Sequence, residues 1–357
     1  MSGTATRLAF GTLADGRMAE AVELYHSSGL FVRVLAFGAT LQSFCAPDRD
    51  GRFADIVLGY DGADLYEAQP QFFGASVGRY ANRIAGARFE LDGRAVTLEA
   101  NDGANHLHGG RSGFDRRLWE IAGIEQGETP AVVLRRISPD GEGGYPGTLE
   151  TEATYRLTGP CELTVTYRAT SDAPTIVNLT NHAFFNLHGA TAGRSALDHD
   201  LRLDASRFLP VDGGWIPTGE MRDVAGTPFD FRDFHTLGER LRDGRDAQMR
   251  VGRGYDHDFV LDGPSGGAPR RAATLREPAS GRRLTLSTTE PGLQVYSGNY
   301  LDATVTGKGG TIYRQGDGLC LEPQRHPDTP NQPALGSARL SPGETYRHVS
   351  VYDVTPA

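Results

Sequence analysis

The chain has 357 residues, 38% hydrophobic and 23% charged, which excludes a disordered protein and allows a substantial core. A net charge of -9 with no basic run argues against nucleic acid as a partner. The three cysteines, Cys45, Cys161 and Cys320, are too few and too far apart for a disulfide framework or a metal-ligand motif, and no apolar run has the length of a membrane span. The first residues contain no apolar segment of signal-peptide length, so a cytoplasmic protein is expected.

The 46 glycines and 20 prolines are spread along the whole chain and separate short runs of alternating pattern. Residues 29–37 are β-branched and aromatic and predict a strand. Residues 62–69 have the pattern of two helical turns. Next comes Gly74-Ala75-Ser76-Val77-Gly78, which matches the G-x-S-x-G nucleophile elbow. That elbow belongs to folds that alternate strand and helix, and this chain does not alternate, so a plain glycine turn is the stronger reading. A brief helix over 80–87 is compatible with the local pattern. Within it, Gly78-Arg79-Tyr80-Ala81-Asn82-Arg83 sets two guanidiniums and an amide beside glycine, donors suited to hydroxyl recognition.

His106-Leu107-His108 places two imidazoles at i, i+2. On a strand they would point the same way and could chelate. No Asp or Glu follows before Asp115 to serve as a third ligand, so metal ranks below ligand binding or turn support. Strand patterns follow at 131–137 and 162–168, where Leu163, Val165 and Tyr167 alternate with Thr164, Thr166 and Arg168.

The least generic stretch is 176–189. It interleaves Asn178, Thr180, Asn181, His182, Asn186 and His188 with Ile176, Val177, Leu179, Phe184, Phe185 and Leu187. Buried polar groups cost free energy unless hydrogen-bonded, so this is a tightly bonded structural element or the wall of a polar site. Two more helical turns fit 236–243. Gly254-Tyr255-Asp256-His257-Asp258-Phe259 packs two acids around a histidine. Strand patterns return at 283–288, 292–296 and 348–354. Asp92-Gly93, Asp212-Gly213 and Asp262-Gly263 are turn dipeptides. In 319–333, Glu322 ends the apolar run Leu319-Cys320-Leu321 and is followed by Pro323. Such a carboxylate is rigidly held, and partial desolvation would raise its pKa and suit it to general-base work. A structural ion pair is the plainer alternative.

Period-two runs between turn clusters, with few helical signals, predict an all-β protein, a large sandwich or barrel of mostly antiparallel strands. No repeat or linker divides it, so residues 1–357 are expected to form a single domain.

Taken in order, six segments resemble the aldose 1-epimerase (galactose mutarotase) family: 78–84, 105–110, 178–187, 254–257, 291–299 and 321–333. The resemblance implies a β-sandwich of the galactose mutarotase type with an open cleft, and interconversion of the α and β anomers of a free aldose such as galactose or glucose. By matching position, Glu322 would be the general base at the C1 hydroxyl and His182 the general acid at the ring oxygen. His108 would lie near the ring oxygen, and Asn82, Arg83, Asp256 and Gln294 would hold hydroxyls. Asn178, Thr180 and Asn186 would support His182, and His188 would be structural. Ala183, Phe184, Arg325 and His326 depart from what many relatives carry, at positions expected on the site rim. The chemistry implied needs no cofactor and no metal, and its partner is a small sugar, not nucleic acid or membrane. The sequence does not choose between a monomer and a homodimer. The competing readings are a non-catalytic carbohydrate-binding protein on the same fold, a serine hydrolase using Ser76, and a sugar-phosphate epimerase, which would need an added basic cluster.

Overall fold

The structure is a computed structural model that describes residues 3–69 and 71–356. The clean alternation at 162–168 becomes the strand Glu162–Ser171, with Leu163, Val165, Tyr167 and Ala169 buried and Arg168 exposed. It lies in a nine-stranded sheet whose order is Glu120–Glu125, Ala131–Ser138, Leu149–Gly159, Glu162–Ser171, Tyr346–Pro356, Arg282–Thr288, Arg270–Arg276, Asp200–Leu203 and His235–Thr236. A six-stranded sheet runs Phe184–Phe185, Leu319–Gln324, Gly292–Tyr296, Asp256–Leu261, Ala205–Phe208 and Arg222–Asp223. A five-stranded meander is formed by Thr4–Thr12, Met18–Tyr25, Phe31–Leu35, Thr40–Pro47 and Phe53–Asp55. The strands pair antiparallel throughout these sheets.

The largest core cluster joins the three sheets. It contains Leu163, Val165, Leu284, Leu286 and Tyr352 from the nine-stranded sheet. Phe185, Phe259, Leu293, Val295, Leu319 and Leu321 enter it from the six-stranded sheet, and Val32, Leu41 and Phe44 from the meander. Face-to-face burial of this kind is what holds a β-sandwich together.

The six-stranded sheet has two unlike faces because side chains alternate along each strand. One face is the apolar set just named. The other carries Asp258 opposite Gln294, which is opposite Glu322. Beside that row runs a second, Asp256 opposite Tyr296, Tyr296 opposite Cys320, and Cys320 opposite Phe184. A polar floor is thus written into the register of four strands.

Helix is scarce. The turns expected over 62–69 form as Ala63–Ala68, whereas those over 236–243 shrink to Leu237–Arg240. A third helix, Ala247–Gly252, was not expected. The Asp246 carboxylate caps it by accepting from the Gln248 and Met249 N–H groups. Residues 80–87 are no α-helix; they form a short strand, Arg83–Ile84, and a 3₁₀ turn, Ala85–Ala87. Among the described residues no helix is long and apolar enough to cross a membrane.

Candidate functional site

The polar floor opens into a cavity of about 280 Å³. All seven residues singled out from the sequence line it: Asn82, Arg83, His108, His182, Asp256, Gln294 and Glu322. Gln71, Phe72, Leu107, Phe184, Tyr296, Tyr300 and Leu301 complete the wall.

Glu322 is 2% exposed, and its Oε2 has no hydrogen-bond partner among the described residues. Burial, then the charges of Asp256 and Asp258, push its carboxyl well above the ordinary carboxylate range. His182 Nε2 stands 3.7 Å from that oxygen. Its ring is packed between Phe72 (centroids 5.7 Å apart, planes at 23°) and Phe184 (5.1 Å, 26°). Burial lowers the His182 pKa to about 4. Both shifts favour neutral forms, so between the two pKa values the pair holds one proton.

His108 reaches the cavity because its backbone turns left-handed (φ 53°), directly after the two-residue strand His106–Leu107. Asn82, also left-handed (φ 65°), meets it from the neighbouring segment. The His108 N–H donates to the Asn82 carbonyl, and the Asn82 N–H donates to His108 Nδ1, both at 3.1 Å. An imidazole that accepts at Nδ1 carries its proton on Nε2. Burial, then His182 and Arg83, hold the His108 pKa well below its usual value, so it is a neutral donor. Arg83 is anchored by Asp102 (Nε to Oδ2, 2.7 Å) and lies over the Trp215 ring at 5.3 Å. Gln294 Nε2 donates to Asp256 Oδ1 at 2.7 Å, and burial raises the Asp256 pKa.

Several expectations need correction. His106 and His108 do not point the same way. His106 is buried, with Nδ1 on the Glu99 carbonyl at 2.6 Å and Nε2 on the Tyr145 hydroxyl at 2.6 Å. Arg79 does not recognise ligand; it is buried and donates to the carbonyls of Ser138, Pro139, Pro146 and Gly147. Ser76 is no exposed nucleophile. Its Oγ is buried against the Ala39 carbonyl and the hydroxyls of Tyr155 and Tyr167. Thr180 was expected to support His182, but its buried Oγ1 has no hydrogen-bond partner among the described residues. Of the four departures placed on the rim, only Phe184 lines the cavity. Ala183 is in the core, Arg325 covers the Tyr346 ring, and His326 is buried against Asp258.

Asn178 and Asn186, expected to support His182, instead make ties elsewhere. Asn178 donates to the carbonyls of Ala81 and Arg325 and accepts from the Arg325 N–H, tying the Asn82 segment to the loop after Glu322. Asn186 donates to the carbonyls of Arg194 and Asp317. His188 is a buried structural tie between Asp198 and Glu277. Phe72 is a cavity residue that the sequence reading passed over. Its signal was Phe72-Phe73 beside Gly74, masked by the competing elbow motif.

The ligand atoms of His108, His182 and Glu322 lie within 4.8 Å of one another, as do those of His188, Asp198 and His199. Neither group suits a metal. Metal-bound imidazoles donate the other ring N–H to an acceptor. Here the second nitrogen of His108 faces the Asn82 N–H, and that of His199 faces the Leu187 N–H. Metal ligation would need a deprotonated ring in both cases.

Residues 20–353 match the family model described as aldose 1-epimerase. The chain is 43% identical to galactose mutarotase of Bos taurus over 354 residues, covering 99% of each. It is 40% identical to aldose 1-epimerase of Escherichia coli, covering 95% of this chain and 96% of that one. A crystal structure of galactose 1-epimerase from Lactobacillus acidophilus superposes with a TM-score of 0.86 at 30% identity, covering 99% of both chains.

Proposed function

The chain belongs to the aldose 1-epimerase family, and from that premise we propose that it interconverts the α and β anomers of a free aldose in this cleft, with Glu322 as general base and His182 as general acid. The observation that carries the assignment is the His182 Nε2 to Glu322 Oε2 distance of 3.7 Å at the cavity wall, with the carboxylate oxygen unpartnered among the described residues. In the productive form the shared proton sits on His182 and Glu322 is ionised. Glu322 takes the proton from the C1 hydroxyl while His182 gives its proton to the ring oxygen. The C1–ring-oxygen bond breaks and the open aldehyde forms. Rotation about C1–C2 presents the other carbonyl face. Reclosure returns the proton from Glu322 to O1 and that from the ring hydroxyl to His182, so no proton is gained or lost. One positioned acid or base typically contributes ~10²–10⁴ in rate.

The neutral N–H at His108 Nε2 would steady the ring oxygen. Asn82, Arg83, Asp256 and Gln294 would hold the hydroxyls, and Phe72, Phe184 and Tyr296 would cover the C–H faces. We treat the whole chain as one functional unit, because the cavity takes residues from Gln71 to Glu322. The compartment we propose is the cytoplasm, where the free thiols of Cys45, Cys161 and Cys320 stay reduced. Polarimetry of freshly dissolved single anomers across a panel of aldoses tests the activity. Faster decay of rotation with enzyme is expected, and equal decay with and without enzyme for every sugar would overturn the reading.

A further inference from the structure

At the edge of the polar floor, outside the cavity lining, lies a second pair of titratable groups that the reaction above does not use. His326 Nδ1 is 2.5 Å from Asp258 Oδ1, with the two side chains 5% and 1% exposed. Asp258 Oδ2 also accepts from Gln324 Nε2 at 3.2 Å. The space for this pair is left by Gly292. A Cβ there would stand 2.7 Å and 2.8 Å from the two Asp258 oxygens and 2.8 Å from His326 Nδ1. Such contacts are with the polar atoms themselves, so any side chain at 292 would force the pair apart.

The position of the pair relative to the base follows from register. Asp258 is opposite Gln294, and Gln294 is opposite Glu322, so all three share the polar face. Two strand spacings put Asp258 about 10 Å from Glu322. A buried acid at that range acts on the ionisation of Glu322 with little screening.

We propose that His326 is a positioning residue for the catalytic base: its charge neutralises Asp258 in the space Gly292 leaves, so that Glu322 can ionise beside two further acids. Of the charged groups around the pair, Glu290 acts on His326 and Asp258 acts on Glu322, Asp256 and Arg83 line the space beside Asp258, and Arg325 and Arg270 act on Glu290. The balance of these groups agrees with the assignment. Despite burial, Asp258 and then Glu290 raise the His326 pKa above its usual value, which favours the charged imidazolium.

The inference rests on Glu322 as base, and its test is separable from that reading. In His326→Gln, Asp258 loses its counter-charge and Glu322 gives up its proton less readily. The alkaline limb of the mutarotation pH profile then moves up, by on the order of one pH unit for a charge at this range. In the Asp258→Asn background the same His326→Gln change moves the limb no further. An unmoved or downward-moved limb in His326→Gln overturns the proposal, as does an equal shift in both backgrounds. Glu322→Gln is scored separately, so either idea can fail alone. Should His326→Gln not fold, the ring resonances of His326 in the native enzyme decide. A midpoint above pH 6.5 supports the proposal, and a neutral ring at that pH overturns it.

Discussion

His182 and Glu322, 140 positions apart in the chain, face each other just beyond the end of a short strand pairing. Phe184 pairs with Cys320 and Phe185 with Leu319 in antiparallel fashion. Continuing that register two places brings residue 182 against residue 322, where Nε2 and Oε2 lie 3.7 Å apart. The ladder itself ends at Phe184, and the His182 backbone is held from its other side, its N–H donating to the Ala75 carbonyl and its carbonyl accepting from the Gly74 N–H.

The pH profile follows from the opposite shifts of this pair. The active form holds one shared proton. Below about pH 4 His182 and Glu322 are both protonated and no base is left, so activity falls as pH drops through that value. Above the raised Glu322 pKa the pair loses its proton and no acid is left. The expected profile is a plateau between an acid limb and an alkaline limb, both of which belong to the pair. A single rise centred near pH 6.5, the value of an ordinary histidine, would contradict the shared-proton account.

Phe72 holds one side of the His182 ring and also meets His108, at 4.9 Å between centroids. Phe72→Ala should lower kcat/KM by roughly tenfold, the scale of one lost aromatic contact. Thermal stability should change little, since the ring is not in the core. Steady-state polarimetry with a melting curve checks both, and an unchanged kcat/KM would show that the ring is not part of the site.

Ser76→Ala separates the buried serine from a nucleophile. It removes the hydroxyl shared with the Ala39 carbonyl, Tyr155 and Tyr167. The expected cost is about 1–3 kcal/mol in unfolding free energy, because those partners are left buried. Mutarotation per folded molecule should persist. Loss of activity in a fully folded variant would return Ser76 to the chemistry.

The His108 ring accepts the Asn82 N–H and has no spare lone pair for a metal while neutral. Incubation with EDTA and dialysis should leave the mutarotation rate unchanged. A large loss restored by zinc would instead make His108, His182 and Glu322 a metal centre.

Much of this was readable from residue types. The strand 162–168 alternates because one face is buried, and it extends only to Ser171 in the structure. Thr40–Pro47 was missed because nearly every residue in it is buried, which erases the two-residue period. Thr4–Thr12 was missed for the opposite reason, being largely open at a sheet edge. The seven site residues were named by resemblance, and no spacing rule would have assembled them. Tyrosine and histidine roles set by long-range packing were beyond reach: nothing local shows that His106 ends on Tyr145 while His108 turns into the cleft. The left-handed turn at a non-glycine residue, His108, is what separates them.

The most direct test is Glu322→Gln, which keeps the size and shape of the side chain and removes its basicity. Mutarotation of a freshly dissolved α-anomer would be followed by polarimetry, and sugar binding by calorimetry on the same preparation. The account predicts a loss of at least ~10²-fold in kcat with binding retained. Near-normal acceleration by a variant that binds sugar would contradict the assignment of Glu322 as the base.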